Sequence, residues 1–316
     1  MGYKTKITLL MILAIGLIVV YMTIDSKGNW EYVLPRRGLS IVAIVITGAA
    51  IAFSTMVFQT ITNNRILTPS IIGLDSLYLL IQTFIIYVFG STSFFVLNQY
   101  LNFTISVGLM VLFAAFLYKL LFRREGQNIY LLLLIGLVFG TLFSSLSTFM
   151  QVLIDPNEFL SVQDRMFASF NNIHTELLGI SILLILVLGL YFYQFTKYLD
   201  VLSLGREQAI NLGVHYDHVV KRMLIMIAIL VSIATALVGP ITFLGLLVAN
   251  VAHEFMRTYQ HKYLLSSSML ISVIALVGGQ LIIERVFTFS TTLSVIINFI
   301  GGVYFLYLLL KESKKW

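Results

Sequence analysis

The sequence has 316 residues, of which 59% are hydrophobic and 11% are charged, with a formal net charge of +6. Soluble domains average about 45–50% apolar and about 25% charged residues, so this composition argues against a soluble enzyme, a nucleic-acid-binding domain and a disordered chain. Apolar runs near 20 residues long, separated by short charged stretches, indicate an all-α polytopic membrane protein. The chain has no cysteine, which excludes disulfides and thiolate chemistry.

Ten apolar runs follow one another along the chain, with lengths suited to crossing a bilayer. They are residues 7–24, 39–62, 71–90, 101–118, 129–153, 177–196, 223–239, 241–255, 264–283 and 291–310. The first run follows Lys4 and Lys6 and has the outline of a signal peptide. Residues 25–27 (Asp-Ser-Lys) are a poor cleavage site, however, so we interpret the run as a retained helix.

The count of ten spans depends on residues 223–255, which as one helix would be about 50 Å long. Gly239 and Pro240 lie in the middle of this stretch. Because proline removes a helical hydrogen bond and clashes with the preceding turn, we expect a hinge between two short helices, although a simple structural bend is also possible. With ten spans and both termini cytoplasmic, fifteen of the 20 Lys and Arg residues lie inside and five outside. A single span would change this ratio to 11:9, and the positive-inside rule prefers 15:5.

We expect one transmembrane domain over residues 1–316. The longest predicted outer segment, Asp155 to Glu176, divides it into two five-helix halves, about 1–154 and 173–316, which would form an inverted repeat. Asp75 is the only one of 14 carboxylates that lies well inside a span. It has two interpretations, an interfacial residue held by helix-end amides or an ion-coupling group. Since ion-coupled transport needs ionisable groups at depth, uphill transport here would draw its energy from another subunit.

Residues 197–222 form the longest predicted cytoplasmic loop, and within it 206–212 have good helix-forming residues. Glu207 suits the positive end of a helix dipole, and Gly213 is a natural helix stop. Small Ala209 would give a flat patch for close approach, and Leu212 an apolar contact. The loop is therefore predicted either to dock another protein or to be a plain interfacial helix.

Four segments carry a family resemblance. Residues 34–36 (Leu-Pro-Arg) precede the second span, and Gln59 is followed by 64–73 (Asn-Arg-Ile-Leu-Thr-Pro-Ser-Ile-Ile-Gly). Residues 205–214 read Gly-x-x-x-Ala-x-x-Leu-Gly-Val, and 239–246 read Gly-Pro-Ile-Thr-Phe-Leu-Gly-Leu. In order and separation, over nearly the whole chain, they resemble the FecCD-type permease family, the iron-siderophore and cobalamin permeases of bacterial ABC importers.

The sequence also departs from the family pattern. Arg65 stands where proline is usual, Ala249 and Asn250 replace Pro-His, and His253 replaces arginine. Residues 292–294 (Thr-Leu-Ser) replace the Pro-x-Gly that is expected before the last span. The asparagine form resembles the branch that serves ferric catechol-type siderophores.

The resemblance implies a type II ABC importer permease with ten transmembrane helices in the bacterial cytoplasmic membrane. It implies a second FecCD-type permease as a heterodimer partner, two ATPase subunits that hold ATP and Mg²⁺, an extracytoplasmic siderophore-binding protein, and a ferric siderophore as cargo. The chain contains no Walker motif, so it is expected to be non-catalytic and without its own cofactor. The alternatives are a secondary transporter, a cobalamin or haem ABC permease, and an intramembrane enzyme.

The resemblance also suggests roles for individual residues, while a catalytic site and a metal site are not expected. The coupling contact with the ATPase is assigned to Gly205, Glu207, Ala209, Leu212 and Gly213. Outward arginines would meet acidic residues on the binding protein, unless they only reach lipid headgroups: Arg36, Arg37, Arg165 and Arg285. The translocation pathway is assigned to Gln59, Phe149, Met150 and Gln151. For Gln59, a hydrogen bond to a neighbouring helix is the alternative.

Overall fold

The protein is described by a computed structural model over residues 2–24, 30–121, 129–171, 175–288 and 291–313. Within these ranges the regular structure is entirely helical, which is how a chain satisfies its backbone hydrogen bonds in lipid. The helices are α1 Tyr3–Thr23, α2 Trp30–Thr62, α3 Leu74–Phe89, α4 Phe94–Leu97, α5 Gln99–Leu121, α6 Ile129–Leu153, α7 Pro156–Met166, α8 Thr175–Tyr193, α9 Thr196–Leu202, α10 Arg206–Asn211, α11 Tyr216–Val238, α12 Leu244–Met256, α13 His261–Arg285 and α14 Leu293–Ser313.

Eight of the described helices are long and apolar enough to cross a membrane, namely α1, α2, α5, α6, α8, α11, α13 and α14. The other two apolar helices, α3 and α12, are shorter, with 16 and 13 residues. Each of the ten predicted apolar runs overlaps one of these ten helices. The all-α membrane architecture predicted from composition is therefore confirmed.

Helices α2, α11 and α13 form the centre of the bundle. In the most apolar 18-residue stretch of α11, 72% of the residues are buried inside the chain, compared with 17% in the corresponding stretch of α1. Fully buried side chains such as Met56, Met223 and Leu276 join these helices. The peripheral helices instead expose large apolar side chains, including Leu190 of α8 and Phe299 of α14. These outer surfaces suit lipid or another hydrophobic subunit.

The long apolar stretch 223–255 is interrupted at the predicted position. Helix α11 ends at Val238, Gly239 has φ 98°, and α12 begins only at Leu244. A Cβ atom on Gly239 would lie 3.0 Å from the Cα atom of Ala168. Glycine is therefore required both by the left-handed backbone and by the close approach of the segment that follows α7.

Helix α3 begins three residues later than the apolar run 71–90 predicts. A single 3₁₀ turn, Pro69–Ile72, precedes it, and Gly73 with φ 87° separates the turn from α3. A Cβ atom on Gly73 would lie 2.9 Å from the Cα atom of Gly140 in α6. This crossing of two glycines brings the start of α3 against the middle of α6 and fixes where α3 can begin.

The segment Asp155 to Glu176, which was predicted to lie outside, contains α7, which the apolar runs do not reveal. Its start has a clear local cause, since the Asp155 side chain accepts a hydrogen bond from the Asn157 amide at 2.9 Å and Pro156 occupies the first turn. Val162 is buried against the bundle, while Leu160 is exposed on the opposite side. α7 is thus an amphipathic helix packed against α3.

Candidate functional site

The predicted coupling loop folds into two short helices, α9 and α10. Gly205 has φ 99° at the start of α10. At its end the amide of Gly213 donates to the Ile210 carbonyl at 2.9 Å, and the amide of Val214 donates to the Ala209 carbonyl at 3.0 Å. With Gly213 at φ 83°, this pair of bonds is a Schellman motif. The helix stop predicted at Gly213 is confirmed.

The exposed face of α10 carries both charged and apolar side chains. Glu207 is exposed in the first turn. Three large apolar side chains on and beside the helix are also exposed, namely Leu204, Ile210 and Leu212. Arg206 pairs with Asp217 of α11 at 3.5 Å. An apolar group of this size on a loop between spans is typical of an interaction surface.

Ala209 differs from the prediction. Its side chain is completely buried, between α9 and the start of α11. The flat external patch that we expected at this residue is wrong for this conformation, because Ala209 points into the chain. Its small size instead lets α10 pack closely on its neighbours, and the contact surface is left to the exposed side chains around it.

The loop is tied to the bundle by an Asp–His pair that the sequence analysis did not predict. Asp200 of α9 accepts a hydrogen bond from the His261 amide at 2.8 Å, and its carboxylate lies 2.6 Å from His261 Nδ1. His261 Nε2 lies 2.8 Å from the hydroxyl of Thr60 in α2. A single buried imidazole thus joins α9, the start of α13 and the end of α2.

The four arginines that were predicted to face outward have different surroundings. The guanidinium of Arg37 donates to the carbonyls of Tyr21 and Ile24 at 2.8 and 2.7 Å and lies 3.7 Å from Glu284, so its charge is used inside the chain. Arg285 is exposed and donates to the Ile24 carbonyl at 3.2 Å. Arg36 is exposed at the same end of α2. Of the four, Arg36 and Arg285 present the more accessible surface for a docking protein.

Arg165 turns inward from α7. It donates to Gln82 Oε1 at 2.9 Å and to Asn102 Oδ1 at 3.2 Å, and Gln82 in turn donates to Ser106 at 2.8 Å. This buried network joins α3, α5 and α7. Arg165 also lines a cavity of about 900 Å³ whose wall includes Gly239. The structure therefore brings a predicted docking residue and the predicted hinge to the same cavity.

The predicted pathway residues are not equivalent in their exposure. Gln59 is buried, and its Nε2 donates to the Arg65 carbonyl at 2.6 Å, so in this conformation it stabilises the turn that follows α2. Phe149 is exposed, whereas Met150 is partly buried. Gln151 donates to Ser147 at 3.0 Å. Of the four, only Phe149 has a largely exposed side chain.

One face of α6 carries exposed hydroxyl groups and is a candidate lining of the translocation pathway. The apolar runs of the sequence did not indicate it. Thr141, Ser145 and Thr148 are exposed at helical spacing in the middle and outer part of the helix. Ser144 donates to Ser76 of α3 at 3.1 Å. Exposed hydroxyls within a span are unexpected on a purely lipid-facing surface. The signal available in the sequence was the cluster Ser144, Ser145, Ser147 and Thr148 within an otherwise apolar run.

Asp75 lies at the start of α3, where Thr235 of α11 donates to its Oδ1 at 3.3 Å. Among the described residues, no group of three or more His, Asp or Glu side chains is arranged to hold a metal ion.

A model of the FecCD transport family matches residues 5–311 of the chain. The chain belongs to the FecCD transport family. The resemblance seen in the four sequence segments is confirmed. As a member of this family it is a membrane-spanning permease subunit, a translocation component and not an enzyme.

Related proteins agree with this assignment. The chain is 65% identical to the petrobactin import system permease protein YclO of Bacillus subtilis over 316 residues, which is 100% of both chains. It is 36% identical to the petrobactin import system permease protein FatC of Bacillus anthracis, over 97% of this chain and 88% of that one. Its identity to FatD of the same organism is 28%, over 98% and 91%.

A solved structure shares the fold. A chain from a metal-chelate type ABC transporter in an inward-facing conformation superposes with a TM-score of 0.85 at 23% sequence identity, over 98% of this chain and 100% of that one. At this identity the comparison establishes the helical permease fold alone.

The segment that contains Gln59 and residues 64–73 is held to α12 in three dimensions. The Arg65 carbonyl accepts hydrogen bonds from Gln59 at 2.6 Å and from Asn250 of α12 at 2.9 Å. The turn after α2 is thereby held between α2 and α12. Asn250, a departure from the family's usual residue, performs this bond with its amide.

Proposed function

We propose that this chain is one of the two permease subunits of an ATP-driven importer that carries a ferric siderophore of the petrobactin type across the bacterial cytoplasmic membrane. One observation carries the proposal. The chain is 65% identical over its full length to a protein named as a petrobactin import permease. Identity this high over the full length of both chains favours a shared cargo class as well as a shared fold.

The topology that we propose has ten spans with both termini cytoplasmic. The short helices α3 and α12 also count as spans in this arrangement, each together with the turn that precedes it in the bundle. These turns are Pro69–Ile72 with Gly73 before α3, and the turn at Gly239 and Pro240 before α12. The distribution of 15 positive residues inside and five outside supports it. On this topology α9 and α10 lie in the cytoplasm and α7 lies on the outer side.

The energy source is proposed to be ATP and Mg²⁺ bound by two partner ATPases that press on α10. Support comes from the exposed side chains of Glu207, Leu204, Ile210 and Leu212, which combine one charge with apolar area. Gly205 and Gly213 would set the ends of the docking helix, and buried Ala209 would seat it on the bundle. The outer partner is an extracytoplasmic siderophore-binding protein, for which Arg36 and Arg285 offer the accessible charge.

The partner permease is proposed to be a different FecCD chain. FatC and FatD are both named as permeases of the petrobactin import system of Bacillus anthracis, and this chain resembles both, at 36% and 28% identity. A second, non-identical permease would face the exposed surfaces of α6 and α14, so that the hydroxyl face of α6 and Phe149 would line the pathway between the two subunits.

A charge reversal tests the proposal. Glu207→Lys places a positive charge on the coupling surface, so we expect loss of ATPase association and of iron-loaded petrobactin uptake, with normal membrane insertion. Glu176→Lys is a matched control, because Glu176 is also an exposed acid in the first turn of a helix, α8, on the opposite side. Uptake that survives inactivation of the ATPase and is abolished by Asp75→Asn would instead establish a secondary transporter.

A further inference from the structure

An apolar groove lies between α2, α8, α11 and α13, away from the α6 face. Its volume is about 600 Å³, within the range of about 300–1,000 Å³ that small-molecule ligands occupy. Phe53, Ile185, Leu230 and Met269 form its walls. Gly189 opens it, because a Cβ atom built there would have no atom within 4 Å.

The groove opens onto an apolar surface of the bundle. The neighbouring outward face of α8 consists of exposed leucines, among them Leu183, Leu186 and Leu190. Water is not available to fill an apolar groove at this depth, so hydrocarbon is its natural content. Its lining extends over Ile185–Tyr193 of α8 and Lys262–Met269 of α13, about 10–12 Å along each helix, which is most of one leaflet of a core roughly 30 Å thick.

The mouth of the groove carries positive charge. Lys197 and Lys262 line it and are exposed, at the end of the bundle that bears α9 and α10. Each ammonium lies over a neighbouring tyrosine ring, at 5.0 Å from Tyr198 and 4.8 Å from Tyr263. The one acidic residue of the lining, Asp200, directs its Oδ1 to His261. The mouth therefore carries two ammonium groups and one carboxylate, and that carboxylate is already bonded to His261.

We infer that this groove is a binding site for an anionic phospholipid, with one acyl chain in the apolar cleft and the phosphodiester between Lys197 and Lys262. Basic residues at the cytoplasmic end of a cleft between membrane helices are the pattern that recognises anionic headgroups. The bound lipid would contact α8 directly before α9, beside the coupling loop. The site is separate from the translocation surface on α6.

Native mass spectrometry of the full chain, purified and reconstituted with phosphatidylglycerol and phosphatidylcholine in equal amounts, tests the inference. We expect the wild type to retain phosphatidylglycerol at least fivefold over phosphatidylcholine. The double variant Lys197→Gln/Lys262→Gln should lose this preference. The double variant Lys119→Gln/Lys221→Gln, which removes the same charge from the same face outside the groove, should keep it.

A second variant tests the cleft itself. Gly189→Leu fills the open space with a side chain that α8 tolerates elsewhere on its surface, so retention of both lipids should fall at least fivefold. Equal retention of the two lipids by the wild type would overturn the inference. So would equal loss in both lysine double variants, or unchanged retention in folded Gly189→Leu, for which a wild-type melting temperature is the check on folding.

Discussion

The coupling surface predicts a measurable loss of ATPase affinity when a single leucine is changed. Leu212 is 62% exposed at the end of α10, beside the Schellman motif that terminates the helix. Its side chain makes few contacts within the chain, so replacement by serine should leave the loop folded. If an ATPase covers this surface, the substitution removes apolar area from the interface and nothing else of consequence.

The magnitude follows from the exposed fraction. Complete burial of a leucine stabilises by about 1.5–3 kcal/mol, and docking can bury at most the 62% that is now exposed. Leu212→Ser is therefore expected to weaken docking by about 1–2 kcal/mol. Since every 1.4 kcal/mol is about a tenfold change, the Kd should rise by about 5- to 30-fold.

The assay is titration of the purified ATPase against the permease pair in lipid nanodiscs, with this chain carrying the substitution. Leu160→Ser provides the matched control, because Leu160 is 61% exposed on α7 at the opposite side of the bundle. The Kd of the Leu160→Ser variant for the ATPase should equal the wild-type value. A Leu212→Ser variant within twofold of the wild type, or equal weakening by Leu160→Ser, would refute the coupling assignment.

Two further predictions concern the stability of the bundle, measured by thermal unfolding in detergent. Gly73→Ala should destabilise the folded protein by about 2–5 kcal/mol, because a left-handed backbone costs about 1–2 kcal/mol and overlap with Gly140 adds about 1–3 kcal/mol. Gly213→Ala, with nothing within 4 Å of its Cβ, should cost only about 1–2 kcal/mol. Equal losses in the two variants would contradict the packing argument. Asp200→Ala should cost about 1–3 kcal/mol by leaving the buried His261 without its acceptor. Asp200→Asn keeps an acceptor oxygen and should remain close to the wild type, so the same loss in both variants would show that the hydrogen bond to His261 contributes nothing.

The features that could be predicted from the sequence depend on local signals. The interruption at Gly239 and the helix stop at Gly213 follow from residues that adopt a left-handed backbone or break a helix. The apolar helices follow from composition, because lipid leaves the backbone few alternatives.

The features that could not be predicted depend on partners distant in sequence. Arg165 was assigned to an external surface, but it binds Asn102, which lies 63 residues earlier. Asp200 and His261 are 61 residues apart, and no spacing rule connects them. Ala209 was placed on the outside because one helical turn does not reveal which of its faces is covered. Each of these outcomes is decided by tertiary packing, for which periodicity carries no signal.

The contacts at the two ends of the central helices indicate how force on α10 would travel. Asp200 couples α9 to His261 of α13, and His261 bonds Thr60 of α2. At the other end of the same two helices, Arg37 of α2 pairs with Glu284 of α13 at 3.7 Å. Since α2 and α13 are joined at both ends, a push on the proposed coupling loop should move them as one rigid unit instead of bending either helix. The relative motion that opens a pathway would then occur at α6 and α14, whose outer faces are not held by this chain.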